Sequence, residues 1–313
     1  MSEEKLQGPP NQPSSWFLNR GLFSDHFLKA RLPEWQEWNV DADLSVFRKN
    51  PLSLYESNKD SLPHANEAET EKEFIRPVLD LLGYAGSYAV QSTTKLGTKV
   101  GRPDYALFPD ADTRKKASAK LENNDYTQCI GIADAKYWER ELDLPKSNTR
   151  DTFTSLNPSF QIAGYLTGTK QRWGILTNGR LWRLYSSQSH VPLGNYYQVD
   201  LLQLFDSPEP DLKYFYLFFR KAALVQVDGK SFLDRLFEGS EEYAVELEAD
   251  IKERAYEVVR LLCRGFAADF PKEELTDGVL RDIYNNSLTL LYRLLFIFYA
   301  EARELLPLSS SSS

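Results

Sequence analysis

Two short apolar segments within residues 101–136 each carry a carboxylate where an apolar side chain would be expected. Asp104 leads into the first segment, and Asp134 stands near the end of the second. Because alternate residues of a strand share a face, Asp134 and Lys136 continue the face of Ile132. Two like charges on neighbouring strands repel each other unless a divalent cation lies between them. The pattern therefore predicts metal-dependent hydrolysis of a phosphodiester, with Lys136 facing the phosphate.

The distribution of charge favours a local phosphate-binding surface. The chain of 313 residues has a net charge of −8, which argues against a protein that coats nucleic acid indiscriminately. Residues 1–90 carry 9 basic and 14 acidic side chains, residues 91–190 carry 15 and 10, and residues 191–313 carry 13 and 21. The basic excess therefore lies only around the two acidic segments, where a phosphate would bind.

Several function classes are excluded by what the chain contains. Its two cysteines, Cys129 and Cys263, rule out a disulfide framework and a cysteine-rich zinc site. The three histidines are isolated and no Gly-x-Ser-x-Gly occurs, which argues against a histidine-based or nucleophilic hydrolase. No signal peptide is evident, and Arg293 interrupts the apolar C-terminal run, so we expect a cytoplasmic protein with no membrane span.

A helix is predicted just ahead of the acidic segments. Asn66 is suited to cap its N-terminus, acidic residues fill its first turn, and Gly83 is suited to end it. Stepping back from the apolar Phe74 by three and then four residues leads to Glu71 and Glu67. If an acid of this helix reaches the site, the spacing favours Glu67, with Glu71 second.

These residues carry a resemblance to a known family. The Pro-Asp pair ending at Asp104, followed by Asp134-Ala-Lys136, resembles the signature of the PD-(D/E)xK nuclease superfamily. A helix of the form Glu-x-x-Thr, Phe-Ile-x-Pro and Leu-Gly-aromatic precedes the signature, as in many of these nucleases. A Gln161-x-x-x-Tyr165 helix follows it, as in several branches of the superfamily.

The resemblance implies roles for particular residues. Mg²⁺, with Mn²⁺ able to substitute, would be held by Asp104, Asp134 and the Ala135 carbonyl, and by Glu67 directly or through water. The catalytic set would be Asp104, Asp134, Lys136 and Glu67, with Lys136 orienting the attacking water or stabilising the phosphorane. Gln161 and Tyr165 would support this set without holding the metal.

The predicted Gln161–Tyr165 helix invites one competing interpretation. Asn157 before Pro158 predicts its N-cap, and Gly168 its C-cap. The run Asn-Pro-Ser-Phe also imitates the Asn-Pro-Pro-Tyr/Phe motif of adenine-N6 DNA methyltransferases. We reject that interpretation, because the second proline is absent and no Phe-x-Gly-x-Gly turn for a methyl donor occurs.

The remaining patterns predict a fold of the α/β class. Residues 16–38 indicate a small helical element, residues 39–62 a loop, and residues 110–128 a solvated insertion. Two apolar runs in 173–185 flank Asn-Gly, which predicts a hairpin with a type I′ turn. After residue 211 the pattern becomes helical.

The whole order resembles the N-terminal part of fused restriction–modification enzymes of type IIG, over most of residues 16–306. It implies a restriction-endonuclease-like mixed central sheet flanked by helices, then an all-α connector. The expected parts are a helical extension (1–60), the nuclease domain (61–208), the connector (209–306) and a disordered tail (307–313).

The type IIG resemblance also implies partners. They are double-stranded DNA, a second copy during cleavage, and methyltransferase and target-recognition domains that are absent from these residues. The family enzyme would bind S-adenosylmethionine, although this segment has no site for it. A prokaryotic cytoplasm is the implied location.

Two alternatives remain open. One is a related nuclease module of another assembly, such as the N-terminal part of a type I restriction subunit, which a helicase motor would follow. The other is a catalytically silent DNA-binding or scaffold domain that keeps the nuclease fold. Whether the fragment cuts DNA by itself stays open as well.

Overall fold

A seven-stranded mixed sheet forms the centre of the molecule. The computed structural model describes residues 16–91, 101–143 and 157–302. The strands are β1 (Phe17–Asn19), β2 (Tyr88–Val90), β3 (Tyr105–Leu107), β4 (Gly131–Ala135), β5 (Trp173–Thr177), β6 (Leu181–Ser186) and β7 (Tyr197–Asp200). Their spatial order is β1-β7-β6-β5-β4-β3-β2. Within the described ranges β4 and β5 are the one parallel pair, and the other neighbours are antiparallel.

Helices surround the sheet and make up the C-terminal region. The α-helices are α1 (Asp41–Asn58), α2 (Glu67–Thr70), α3 (Arg76–Leu79), α4 (Ala111–Glu122), α5 (Pro158–Thr169), α6 (Leu201–Phe205), α7 (Lys213–Phe219), α8 (Phe232–Ala267) and α9 (Asp277–Ala302). Single π-helical segments span Phe27–Arg31, Glu71–Ile75 and Asp80–Tyr84. Short 3₁₀ turns span Leu32–Glu34, Gln36–Trp38, Leu62–His64, Glu209–Leu212, Lys221–Ala223 and Lys272–Glu274.

Both faces of the sheet are covered in its middle, which is why every residue of β4 and β5 is buried. On one face, α4 and α5 pack over Ile132 and Leu176 through Leu121 and Ile162. On the other face, aromatic residues from α7 pack against β6 and β7. A strand buried on both faces is a near-continuous apolar run, so a charged residue within β4 is conspicuous.

The aromatic residues of α7 build much of the second face. Phe218 stacks on Tyr197 with ring centroids 4.2 Å apart, and Phe215 meets Trp182 edge-on at 5.4 Å. All four side chains are fully buried. Burial of aromatic rings on this scale contributes strongly to the stability of the sheet.

Several local predictions are confirmed. Asn66 caps α2 in a capping box with Glu69, and Gly83 has a φ of 90° where the helical run from α2 ends. The predicted hairpin is β5 and β6, paired antiparallel. The prediction of a type I′ turn is wrong, because Asn178 does not have the positive φ that such a turn needs. Instead the Asn178 side chain accepts hydrogen bonds from the two residues that enter β6.

Three segments differ from the sequence predictions. Residues 16–38 are helical from Phe27 onward, as predicted, but they begin with strand β1, whose three residues pair with β7 at the sheet edge. Residues 39–62 contain helix α1, and residues 110–128 contain helix α4. In α1 the buried Leu44 and Phe47 face the protein, and in α4 the buried Ala117 and Leu121 do so. These short apolar stripes are too sparse to stand out from polar surroundings.

The C-terminus of α5 is also different from its prediction. The helix continues through Gly168 to Thr169, and the capping residue is Lys170, which has a φ of 57°. Residues 1–15 of the predicted helical extension and the predicted disordered tail (307–313) lie outside the described residues.

The chain divides into two compact units, Met1–Glu241 and Glu242–Ser313. The unit that holds the sheet thus includes α7, which lies beyond residue 208, where the sequence predicts that the nuclease domain ends. Among the described residues, every helix is too short or too polar to cross a membrane.

The second unit is a pair of helices with much apolar surface. Ile283, Ser287 and Leu291, on one side of α9, are buried. Ser287 lies 3.4 Å from Cys263 of α8. Large apolar side chains remain exposed elsewhere on α9: Leu280, Tyr284, Tyr292, Leu294, Leu295, Phe296, Ile297, Phe298 and Tyr299. An apolar surface of this kind is typical of a face that packs against other polypeptide.

Candidate active site

The register of two antiparallel strands brings the two acidic residues together. Tyr105 of β3 pairs with Ala133 of β4. Continuing this register by one residue places Asp104 directly opposite Asp134, and directly opposed residues of an antiparallel pair share a face. The sequence therefore sets the two carboxylates side by side, through strand pairing alone.

Backbone hydrogen bonds fix this arrangement at the end of β4. The Ala135 amide donates to Asp104 Oδ2 at 2.8 Å, so the Asp104 side chain holds the strand that carries Asp134. The Lys136 amide donates to the Thr177 carbonyl at 2.8 Å, which extends the β4–β5 pairing by one residue. This hydrogen bond fixes the position of the Lys136 backbone, from which the side chain extends.

The Lys136 ammonium lies among oxygen atoms of these residues. Its Nζ is 2.5 Å from Asp134 Oδ2 and 3.9 Å from Asp104 Oδ2, and it donates to the Ala135 carbonyl at 2.9 Å. The structure therefore brings together the three side chains singled out in the sequence, with the Ala135 carbonyl beside them. We call Asp104, Asp134, the Ala135 carbonyl and Lys136 the acidic cluster.

Burial and neighbouring charges shift the pKa values of the acidic cluster. The side chains of Asp134, Lys136 and Asp104 are 2%, 13% and 17% exposed. Burial first, and the neighbouring charge of Asp134 second, raise the pKa of Asp104 well above its ordinary value, although Lys136 counteracts them. Burial lowers the pKa of Lys136, but the charges of Asp134, Asp104 and Glu67 outweigh it and raise that pKa.

One oxygen of the cluster has no ordinary hydrogen-bond donor. Asp134 Oδ2 is buried and, apart from the ammonium 2.5 Å away, has no partner among the described residues. A buried carboxylate oxygen costs free energy unless a donor or a cation compensates it. The Lys136 ammonium compensates this oxygen, so a metal ion would have to replace that contact.

The raised pKa of Asp104 gives a prediction about stability. With EDTA present, we expect Asp104→Asn to raise the thermal unfolding midpoint at about pH 8, and the gain to shrink as pH falls towards about 4. The folded state holds the Asp104 proton more tightly than the unfolded state. Ionising it therefore destabilises the folded protein as pH rises, and asparagine cannot ionise.

The control for this experiment is Asp60→Asn, because Asp60 is exposed and lies outside the cluster. It should leave the midpoint unchanged at each pH. A gain for Asp104→Asn that is equal at acidic and alkaline pH would contradict the proposed cause.

The helix that begins at α2 supplies two acids with different surroundings. Glu67 is half-buried, and its charge acts on both Lys136 and Tyr165. Glu71 instead accepts hydrogen bonds from the Tyr105 hydroxyl and, at 3.0 Å, from Arg76. Since these two donors occupy the Glu71 carboxylate, Glu67 is the helix acid placed to act on the acidic cluster.

Substitution of each acid should separate these positions. We expect Glu67→Gln to lower metal-dependent cleavage by about tenfold, as is common for groups around a metal site. Glu71→Gln should instead lower the free energy of unfolding by about 1–2 kcal/mol, because it weakens charge-assisted hydrogen bonds. Plasmid cleavage and urea denaturation measure the two effects. The assignment is wrong if Glu71→Gln costs more activity than Glu67→Gln while stability is unchanged.

Helix α5 brings Tyr165 to the same region. Burial, and then the charge of Asp134, raise the pKa of Tyr165, so its ring lies near the acidic cluster. A Cβ atom added to Gly101 would lie 2.9 Å from the Tyr165 hydroxyl, so a larger residue at this position would push the Tyr165 side chain away. Gln161 is half-buried one turn earlier on α5, on the side of the helix that carries Tyr165.

The oxygen atoms of the cluster suit a hard cation. Among the described residues, no three His, Cys, Asp or Glu side chains are grouped as metal ligands. The cluster instead offers two carboxylates and one carbonyl, and the Lys136 ammonium is the one partner of Asp134 Oδ2 among the described residues. Mg²⁺ commonly binds to one or two carboxylates and keeps several waters, so these residues fit that ion.

Sequence reasoning missed three residues that shape this region. Gly101 admits the Tyr165 ring, and the Thr177 carbonyl anchors the Lys136 amide. The buried Thr70 hydroxyl accepts a hydrogen bond from the Trp138 amide at 3.3 Å, which joins α2 to the segment after Lys136. Two of them had a signal in the sequence: Gly101 stands just ahead of the Pro-Asp pair, and Thr70 is the threonine of the Glu-x-x-Thr helix.

Comparisons with known proteins leave the resemblance as a prediction. No family model, no curated protein and no solved structure matches this chain.

Proposed function

We propose that this chain is a Mg²⁺-dependent endodeoxyribonuclease with a restriction-endonuclease-like fold. The observation that carries the proposal is the acidic cluster. Two opposed carboxylates, a backbone carbonyl and one ammonium lie together at the ends of β3 and β4. Burial of so many charges within one small region costs stability, so a functional reason for it is expected.

Each residue has a distinct role in the proposal. Asp104, Asp134 and the Ala135 carbonyl would hold Mg²⁺. The ion would supply a lowered pKa for a bound water molecule and positive charge for the scissile phosphate. Lys136 supplies a positive charge to the attacking water or the phosphate. Glu67 and Tyr165 set the electrostatic surroundings, since both interact with the charges of the cluster.

The exposed side of α5 supports access by a large substrate. Gly164 and Gly168 occur at positions three and seven residues after Gln161, so they share its side of the helix. Both are exposed, and an added Cβ atom on either would meet no other atom within 4 Å. Glycine within a helix costs about 1 kcal/mol relative to alanine. Contacts within the protein do not explain glycine at these two positions. Their lack of side chains instead favours close approach of a substrate, such as a DNA backbone, to this side of α5.

The proposal is tested with supercoiled plasmid DNA. We expect the chain to convert it to nicked or linear forms with Mg²⁺ or Mn²⁺, and EDTA to stop the reaction. Persistence of cleavage in EDTA would contradict the metal dependence. Absence of both cleavage and Mg²⁺ binding would contradict the proposal as a whole.

A catalytically silent DNA-binding or scaffold domain is the second candidate. The ammonium of Lys136 balances one of the two carboxylate charges, and the raised pKa of Asp104 lets that carboxyl keep its proton, so the cluster can be neutral without a metal ion. Such a domain would bind duplex DNA but would bind no Mg²⁺ at Asp104 and Asp134. Calorimetric titration with Mg²⁺ distinguishes it from an enzyme.

A further inference from the structure

The position of the Lys136 ammonium has a consequence for metal binding. It lies within 4 Å of Asp134 Oδ2, the Ala135 carbonyl oxygen and Asp104 Oδ2. These are the same three groups that the proposed function assigns to Mg²⁺. The two closest of them, at 2.5 and 2.9 Å, are at hydrogen-bonding distances.

In this position the ammonium supplies the positive charge that a metal ion would otherwise supply. It places one positive charge between two buried carboxylates that would otherwise repel each other. It also contacts Asp134 Oδ2, a buried carboxylate oxygen that has no other partner among the described residues. With 13% of its side chain exposed, Lys136 is held inside the cluster and does not extend into solvent.

A metal ion and this ammonium compete for the same oxygens. Mg²⁺ binds oxygen at about 2.0–2.1 Å and tolerates little distortion of its octahedron. A cation that joins Asp134 Oδ2 to the Ala135 carbonyl needs the space and the electron pairs that the ammonium uses. Two cations at this distance would also repel each other strongly in a region of low water content.

We propose that Lys136 is an internal substitute for the metal ion, which leaves the Asp134 and Ala135 oxygens when Mg²⁺ binds. The proposal rests on the metal site of the proposed function. Displacement frees the ammonium to pair with another anion. In the proposed function that anion is a phosphate of the DNA substrate. The Lys136 side chain therefore stabilises the metal-free protein and joins the substrate after the ion has bound.

Mg²⁺ affinity tests this displacement directly. Calorimetry on the full chain compares Mg²⁺ binding by the wild type and by Lys136→Met. A pH of about 8.5 is used so that protons compete less with Mg²⁺ for the carboxylates. We expect Lys136→Met to bind Mg²⁺ at least about tenfold more tightly, because binding no longer breaks charge-assisted hydrogen bonds. Lys116→Met is the matched control, since Lys116 is exposed on α4, and it should leave the affinity unchanged.

Salt separates local displacement from repulsion at long range. The gain in affinity should persist between about 0.05 M and 0.5 M NaCl, because buried contacts are screened weakly. Loss of the gain at high salt, or equal or weaker binding by Lys136→Met, would overturn the displacement but leave the metal site standing. Absence of Mg²⁺ binding in both proteins would overturn the proposed metal site and the displacement with it.

The wild-type chain provides a second readout that does not depend on folding of a variant. Acetylation of Lys136 by acetic anhydride, followed by mass spectrometry, reports whether its ammonium is held in the cluster. We expect labelling of Lys136 to rise when Mg²⁺ is added, and labelling of Lys116 to stay the same. Unchanged labelling of Lys136 at saturating Mg²⁺ would overturn the proposal.

Discussion

Asp134→Asn is expected to lower Mg²⁺-dependent cleavage of plasmid DNA by at least about 1000-fold, which corresponds to about 4 kcal/mol of lost transition-state stabilisation. Asparagine keeps the shape of the side chain but removes the charge that would bind the ion. Asp134 is the most buried member of the acidic cluster, and its Oδ2 has no partner among the described residues except the Lys136 ammonium. Within the described part of the chain, no third acidic side chain is grouped with Asp104 and Asp134 to replace it.

The fold should survive this substitution. The introduced asparagine can still accept a hydrogen bond from Lys136, and it removes the repulsion between two opposed carboxylates. Circular dichroism and the thermal unfolding midpoint provide the check. Asp112→Asn is the matched control, because Asp112 is exposed on α4, and it should cut DNA like the wild type. Cleavage by Asp134→Asn at more than a tenth of the wild-type rate would contradict the assignment.

Phe218→Ala is expected to lower the free energy of unfolding by about 3–5 kcal/mol. The Phe218 ring is fully buried and stacks on Tyr197 of β7, and Phe23 meets it edge-on at 5.7 Å. Truncation therefore leaves a cavity between α7 and the sheet. The loss should appear in the unfolding of the unit that holds the sheet, because α7 is part of that unit.

Urea denaturation measures this effect, with Phe160→Ala as the control. Phe160 is 52% exposed on α5, so its truncation should cost less than about 1 kcal/mol. A loss below about 1 kcal/mol for Phe218→Ala would mean that α7 does not stabilise the sheet. In that case the sequence-based boundary at residue 208 would describe the domains better.

The acidic pair could be predicted from the sequence because strand periodicity and chain order are local signals. Asp134 and Lys136 alternate with apolar residues in one strand, and that period of two is visible without coordinates. Which strand residue opposes Asp104 depends on register, which the structure supplies through the pairing of Tyr105 with Ala133. The sequence therefore indicated the members of the pair, and the structure supplied their contact.

Spacing favoured Glu67 over Glu71, but it could not show what separates the two acids. Glu67 and Glu71 lie one helical turn apart, so both lie near the apolar stripe. What separates them is the Tyr105 hydroxyl, which comes from a residue 34 positions away and occupies Glu71. A contact between residues so far apart in the sequence cannot be read from the helical periodicity around Glu67 and Glu71.

Two elements were missed for a related reason. Strand β1 has three residues and owes its conformation to pairing with β7, whose residues lie about 180 positions later. Helix α1 contains Pro51, which is unfavourable within a helix, and its few buried residues are spread over a polar segment. In each case tertiary contacts decide the conformation that local propensity leaves open.

The most direct test of the central claim is a crystal structure of the chain soaked in Mn²⁺, with anomalous scattering used to locate the ion. We predict a peak within about 2.5 Å of carboxylate oxygens from both Asp104 and Asp134. A map with no ion at these residues, or with the two carboxylates directed to different faces of the sheet, would contradict the claim.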